Sequence, residues 1–355
     1  MRSRRTRWIF SPAVASADNG GRELISAPSP LPSPDLAMGK GYRSEPRKAN
    51  NKEETGLRRQ RPDIASGMAD KTGVITLGHS PDPDDAFMFY AIAENKIDLR
   101  GYKFEHRLED IQTLNERATR GELHISAISI HAYAFVTDKY SLLPCGASMG
   151  DGYGPIVVRK KGGSSLSNDS SIHDWLQAHL VAVPGRMTSA FLALELYLGK
   201  FEHIVVPFDQ IFDAVRKEKA NAGLIIHEGQ LTYEKAGFEL VLDLGIWWKG
   251  KTNLPLPLGA NVIRKDIPPP VRRDLSEILK ESVRYGLAHR KAAVQHSMPY
   301  ARDMDETLAG KFIGMYVNDY TLDYGPDGRA AITRFLKEAH SSGFIPNPVE
   351  LEFVS

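Results

Sequence analysis

The 355-residue chain is nearly without cysteine. Its single thiol, Cys145, rules out a disulfide within the chain and any cluster or metal site built on several thiolates. It also has little charge of either sign in excess: the net value is +1, split into +6 over residues 1–67 and −5 over the rest. A mildly acidic body lacks the basic footprint of a nucleic-acid partner. No uncharged apolar run is long enough to span a membrane. Walker and GxGxxG phosphate loops, a serine nucleophile elbow, the paired histidines of a zinc helix and internal repeats are all missing.

What is present is an ordinary globular composition, 42% hydrophobic and 25% charged, enough for two lobes with real cores. Residues 1–70 differ in kind. "SAPSPLPSPDLAMGKGYRSEPRKANNKEETGLRRQRPD" is rich in Pro, Ser, Arg and Lys and has no helical or strand period, so it is expected to be a disordered extension. "RSRRTRWIFSPAVASADN" has the basic start and small residues of an export signal, but its apolar stretch is short and broken by Pro12. A start at Met68, which leads straight into the first strand, is an alternative to the full-length start, and the expected location is cytoplasmic.

From Val74 strands alternate with helices: "GVITLGHS", "KFEHRLED", "HISAISI", "GPIVVRK", "HLVAVPG", "HIVVPF", "AGLIIHE" and "FELVLDL" read as strands. The pattern predicts an α/β protein of two sheets, with the large lobe over residues 73–162 plus 261–355 and the small lobe over 163–260. "KGGSSLSNDSS" reads as the crossover and hinge between them. Ligands of open α/β sheets sit beyond the carboxyl ends of strands, and three such ends are chemically loaded.

The first is "GHSPDPDDAF", where Asp82 suits an N-cap, Pro83 the first helical position and Asp85 the position three after the cap. Three aspartates exceed what a cap needs. Capping plus one ligand contact, at Asp84, outweighs a metal-dependent lyase built on Asp82, Asp84 and Asp85. The second is "VAVPGRMTSAFL", which enters a helix at Thr188-Ser189-Ala190. Its free N–H groups and hydroxyls suit a carboxylate, with Arg186 alongside favouring an anion. The third is "LIIHE", which sets His227 just past a buried strand, a position that suits a general base. Its neighbour Glu228 is expected to meet solvent, because adjacent strand residues point to opposite faces. Ser126 and Ser129 in "ISAISIHAYAFV" could touch a ligand or cap a helix. Trp247 and Trp248 read as core or as a pocket wall.

"LGHSPDPDDAFMFYAI", "LEDIQTLN", "GYGPIVV", "VAVPGRMTSAFL", "AGLIIHEGQLTY" and "DLGIWWKGKTNLPLPLGANV", in that order, resemble the 1,4-dihydroxy-6-naphthoate synthase family of menaquinone biosynthesis. The resemblance runs from about Ile75 to the C-terminal region. It implies the fold of a type II periplasmic binding protein, two α/β lobes with a ligand cleft between them. It implies a lyase acting on cyclic dehypoxanthine futalosine, a small carboxylate, with His227 as general base and no cofactor. It also implies that Ser189-Ala190, with Thr188, and Ala127-Ile128-Ser129 contact the substrate. Two departures stand out: Ser80-Pro81-Asp82-Pro83-Asp84-Asp85 replaces the family's usual S-P-C-P-N-D, and Met187 stands where some members are polar. The competing reading on the same fold is a solute-binding protein of an ABC transporter, which needs the cleft but no base.

Overall fold

The computed structural model describes residues 73–355 except Ser164 and Ser167. The expected disordered extension and the Met68 start lie outside the described residues. Among the described residues, eleven strands form two mixed sheets: β1 (Val74–His79), β2 (Lys103–Leu108), β3 (Ile125–Ser129), β4 (Tyr140–Leu142), β5 (Ser148–Gly150), β6 (Ile156–Lys160), β7 (Val181–Val183), β8 (His203–Val205), β9 (Ala222–Ile225), β10 (Phe238–Asp243) and β11 (Leu256–Arg264). The first sheet runs β2-β1-β3-β11-β4, with β5 also paired to β11; the second runs β10-β6-β9-β7-β8.

The two sheets share one plan. In the first, β1 pairs parallel with β2 and β3, and β11 returns antiparallel to β3. In the second, β7 pairs parallel with β8 and β9, while β6 lies antiparallel to β9. Each parallel trio comes from βα units and exposes its strand ends at one edge, where a ligand can sit. Every residue of the inner strands β3, β7 and β9 is buried.

The expected lobe boundaries require correction. Strand β6, placed by sequence in the large lobe, pairs with β9 and β10 of the second sheet. Strand β11, placed partly in the small lobe, belongs to the first sheet from Leu256 onward. The chain therefore changes sheets before Ile156 and again before Leu256. At the first crossing Gly154 presses against the start of the helix Leu244–Thr252, and a Cβ on Gly245 would collide with the Tyr153 carbonyl. Two passing backbones this close require glycine. The "KGGSS" stretch is not the hinge: it joins β6 to the helix Asp169–Gln177, which packs on the helix Ser189–Leu198 that follows β7.

Beneath the cleft one apolar core runs through both sheets, with Ile128 and Leu142 from the first, Val157, Val181 and Leu224 from the second, and Trp248 and Phe335 packed between. A second core under the first sheet holds Ile75, Leu77 and Phe87 against the long helix Pro269–Ala288. Trp248 is fully buried, donates Nε1–H to the Pro255 carbonyl (3.1 Å) and meets Phe335 edge-on, so it is core. Among the described residues no helix is long and apolar enough to cross a membrane.

Candidate active site

A cavity of about 780 Å³, counting its open mouth, lies between the sheets. From the first sheet come the turn after β1 (Ser80, Asp82, Asp84, Asp85), the end of β3 (Ala127, Ile128, Ser129) and Leu258 to Asn261 of β11. From the second come Thr188, Ser189 and Ala190 at a helix start and Ile226 just past β9. Phe312 and Tyr316, from the helix Glu306–Tyr316, close one side. All seven residues expected to contact a substrate therefore line one cavity. His227 does not line it; the ring sits one residue beyond Ile226, 9% exposed, edge-on to Phe208 and Phe212.

The helix start at residues 188–190 is thoroughly bonded. Thr188 Oγ1 accepts from Phe191 N (3.1 Å) and donates to the Gly185 carbonyl (2.9 Å), a complete N-cap. Ser189 Oγ donates to the Leu258 carbonyl (2.5 Å) and accepts from His131 N (3.2 Å), so its hydroxyl ties the two sheets together. What remains for an anion is the positive end of the helix, whose first-turn N–H groups lack intrahelical partners. Arg186 takes no part: it is exposed, outside the cavity lining, and donates Nε–H to His203 Nε2 (3.0 Å). Ser129 Oγ accepts from Asn115 Nδ2 (2.9 Å), while Ser126 donates to the Ala127 carbonyl and stays off the cavity.

The turn after β1 is built differently. Asp82 stands at the N-cap, yet its side chain accepts no cap hydrogen bond. It meets Arg302 instead (Nη1 to Oδ1, 3.1 Å). Asp85 Oδ2 accepts from Ser80 N (2.7 Å) and Ser80 Oγ (2.9 Å), closing the turn; burial pushes its carboxyl up to about 6 despite those bonds. Asp84 is pushed well above the carboxylate range by burial and then by Asp85, Asp82 and Glu228 around it. A protonated Asp84 carries an O–H donor where the resemblance expects the amide of Asn. Capping accounts for less of this cluster than the sequence suggests. Among the described residues no three His, Cys, Asp or Glu side chains are grouped to hold a metal ion.

Strand β9 ends at Ile225, so the alternation expected to send Glu228 into solvent has stopped before it is reached. Glu228 is 4% exposed and bonded to Arg302 (3.3 Å); burial raises its pKa to about 7, helped by Asp82. Burial lowers the basicity of His227, Asp82 opposes that shift and Arg302 adds to it. Its Nδ1 accepts from Gly229 N (3.0 Å), which places the proton of the neutral ring on Nε2. That Nε2 is buried without a partner among the described residues; the Phe208 carbonyl favours the charged ring but makes no hydrogen bond of ordinary geometry. Arg302 and Tyr316 escaped the sequence reading: "MPYARDMDE" and "GMYVND" carry no motif, and both residues reach the site only through tertiary packing.

Two sheets joined by paired crossovers, with a cavity at facing strand ends, define a protein of the periplasmic-binding-protein-like class. A Candida albicans protein described as having the generic periplasmic binding protein fold superposes with a TM-score of 0.60 at 11% identity, over 80% of this chain and 98% of that one. A family model described as "Menaquinone biosynthesis" matches residues 75–341. The 1,4-dihydroxy-6-naphthoate synthase of Thermus thermophilus is 38% identical over 77% of this chain and 97% of its own length. A crystal structure of a protein from Archaeoglobus fulgidus is 43% identical, with a TM-score of 0.71, over 77% of this chain and 98% of that chain. The chain belongs to the menaquinone-biosynthesis family and is an enzyme.

Proposed function

We propose that the protein is a carbon–carbon lyase that converts cyclic dehypoxanthine futalosine to 1,4-dihydroxy-6-naphthoate, with His227 as general base. The observation that carries this reading is the cavity itself. It gathers Ala127, Ile128, Ser129, Thr188, Ser189, Ala190 and Asp84, and a buried histidine follows directly on Ile226 of its lining. The substrate carboxylate faces the helix start at Ser189 and Ala190, held by backbone N–H groups and the helix dipole rather than by the Ser189 hydroxyl. Burial and the neighbouring carboxylates raise the pKa of Asp84 and so favour its protonated form, which would present a donor rather than a like charge to an anionic substrate.

Burial keeps His227 neutral and so able to take a proton. Its lone pair at Nδ1 is engaged by Gly229 N–H, so action as a base requires that hydrogen bond to part. Proton abstraction, elimination and carbon–carbon cleavage follow, with loss of a small carbon fragment, and aromatisation drives the sequence. The protein's tasks are to place the base, hold the carboxylate and exclude water.

Incubation of the purified protein with cyclic dehypoxanthine futalosine, with and without EDTA, tests the proposal. Naphthoate should form at the same rate in both. Binding without turnover would leave the protein a receptor, and loss of turnover with EDTA would bring back a metal-dependent mechanism.

A further inference from the structure

The short helix Gly229–Thr232 that follows His227 belongs to the second sheet's half of the molecule, yet it is held from the other half at three points. Glu228 bonds to Arg302 (3.3 Å), Gln230 Oε1 accepts from Tyr316 OH (2.5 Å), and Leu231 packs into the cluster of Met304, Phe312 and Tyr316. Arg302 is itself fixed to the first sheet's side by Asp82 (3.1 Å) and the Pro81 carbonyl (3.1 Å), while its guanidinium lies 5.0 Å over the ring of Phe208 on the other. One planar cation thus reaches both halves of the molecule at once, a geometry that lysine cannot reproduce. The charges fit the same role. Asp82 and Glu228 would repel across the cleft, and Arg302 is the cation between them.

We propose that Arg302 is a positioning residue that latches the cleft shut, clamping the His227–Glu228 turn onto the Pro81–Asp82 loop. The latch rests on the proposed reading of the site but is tested separately from it. Before substrate enters, the Arg302–Glu228 contact must part. When it re-forms over bound substrate, it favours the closed state without touching the reacting atoms. Tyr316–Gln230 serves the same closure from inside the cavity.

The test uses the full chain. Cys145 is fully buried, so a cysteine pair introduced at exposed Lys96 and Lys219, one on each side of the cleft, can carry spin labels with no competing accessible thiol among the described residues. Without substrate the otherwise unaltered protein should give a short, narrow distance distribution. Arg302→Gln should move the mean to longer distance, and Arg302→Lys should lie between. Asp82→Asn should open the cleft less in an Arg302→Gln background than alone, because the two act on one contact. In turnover, Arg302→Gln should raise KM about tenfold and change kcat less than about threefold, as expected when a cross-cleft charge pair is lost. A distance distribution that Arg302→Gln leaves unchanged would overturn the latch, whatever the activity. Should Arg302→Gln fail to fold, Tyr316→Phe carries the test, with a smaller shift expected and an unchanged distribution again overturning it. An opened cleft in a protein that does not turn over the futalosine would keep the latch and reject the functional reading.

Discussion

The two rims of the cavity each begin a helix, but they use their side chains in opposite ways. At Thr188-Ser189-Ala190 every hydroxyl is occupied within the protein: Thr188 caps, and Ser189 stitches Leu258 to His131. At Ser80–Asp85 the cap position is filled by Asp82, which does not cap, and the carboxylates are spent on the Ser80 turn, on Arg302 and on mutual repulsion. One rim is neutral, bonded within the protein and offers backbone; the other carries strongly perturbed carboxyls and is tied to Arg302. Residues that look like caps in sequence can thus be structural at one strand end and electrostatic at another.

The largest effect that would sharpen this comparison is expected at the charged rim's neighbour. His227→Asn should stay folded and bind product normally, while kcat falls by about 10²–10⁴, the usual contribution of a general base. Near-normal turnover in a folded His227→Asn protein would make the histidine structural. For the unaltered enzyme, kcat/KM should rise with pH through an apparent pKa below the usual histidine value of 6.5, since burial depresses it.

Next, the neutral rim should resist charge. Ser189→Asp should raise KM by about tenfold or more by setting a like charge against the substrate carboxylate. Ser189→Ala should chiefly destabilise, by about 1–3 kcal/mol, because the His131 N–H loses its acceptor. Equal affinity for the substrate and its methyl ester would remove the helix start from carboxylate binding.

Capping separates the rims more finely. Thr188→Ala should cost about 0.5–2 kcal/mol in chemical denaturation. Asp82→Ala should show no cap loss, because no cap bond is made there. A cost at Asp82 equal to that at Thr188 would erase the distinction.

The smallest effect is in the pH dependence of stability. The carboxyl of Glu228 is raised from 4.5 to about 7, so the folded protein holds a proton that the unfolded chain has lost across that window. Stability from this group therefore declines as pH rises from about 4.5 to 7. Glu228→Gln should flatten the decline, read as the difference in Tm between variant and parent over that range. A difference independent of pH would mean that Glu228 is ionised throughout.

Much of this was legible before any coordinates. Eight of the strands from Val74 to Asp243 follow from period and branched residues, whereas the three-residue β4 and β5 carry too short a pattern to read; the cavity wall at Ala127–Ser129 and Thr188–Ala190 follows from strand ends that run into helix starts. The hinge was not legible in the same way. "KGGSS" signals a loop by composition, whereas the crossing depends on Gly154 and Gly245 being far apart in sequence and pressed together in space. Glu228 was misread because alternation was carried past the last paired residue, Ile225. Arg302 left no local trace at all, since its role comes from partners 74 and 220 residues away.

The position of β11 has a consequence for how the protein is made. This strand lies in the first sheet between β3 and β4, both of which leave the ribosome well before it does. All five strands of the second sheet are synthesised in the interval. During translation the second sheet can therefore complete itself while the first still has a gap at its centre, with the apolar edges of β3 and β4 waiting for their common neighbour. Late arrival of a central strand raises contact order and slows folding, and it leaves the nascent first sheet open to wrong pairing. The half of the molecule that starts first is the one that finishes last.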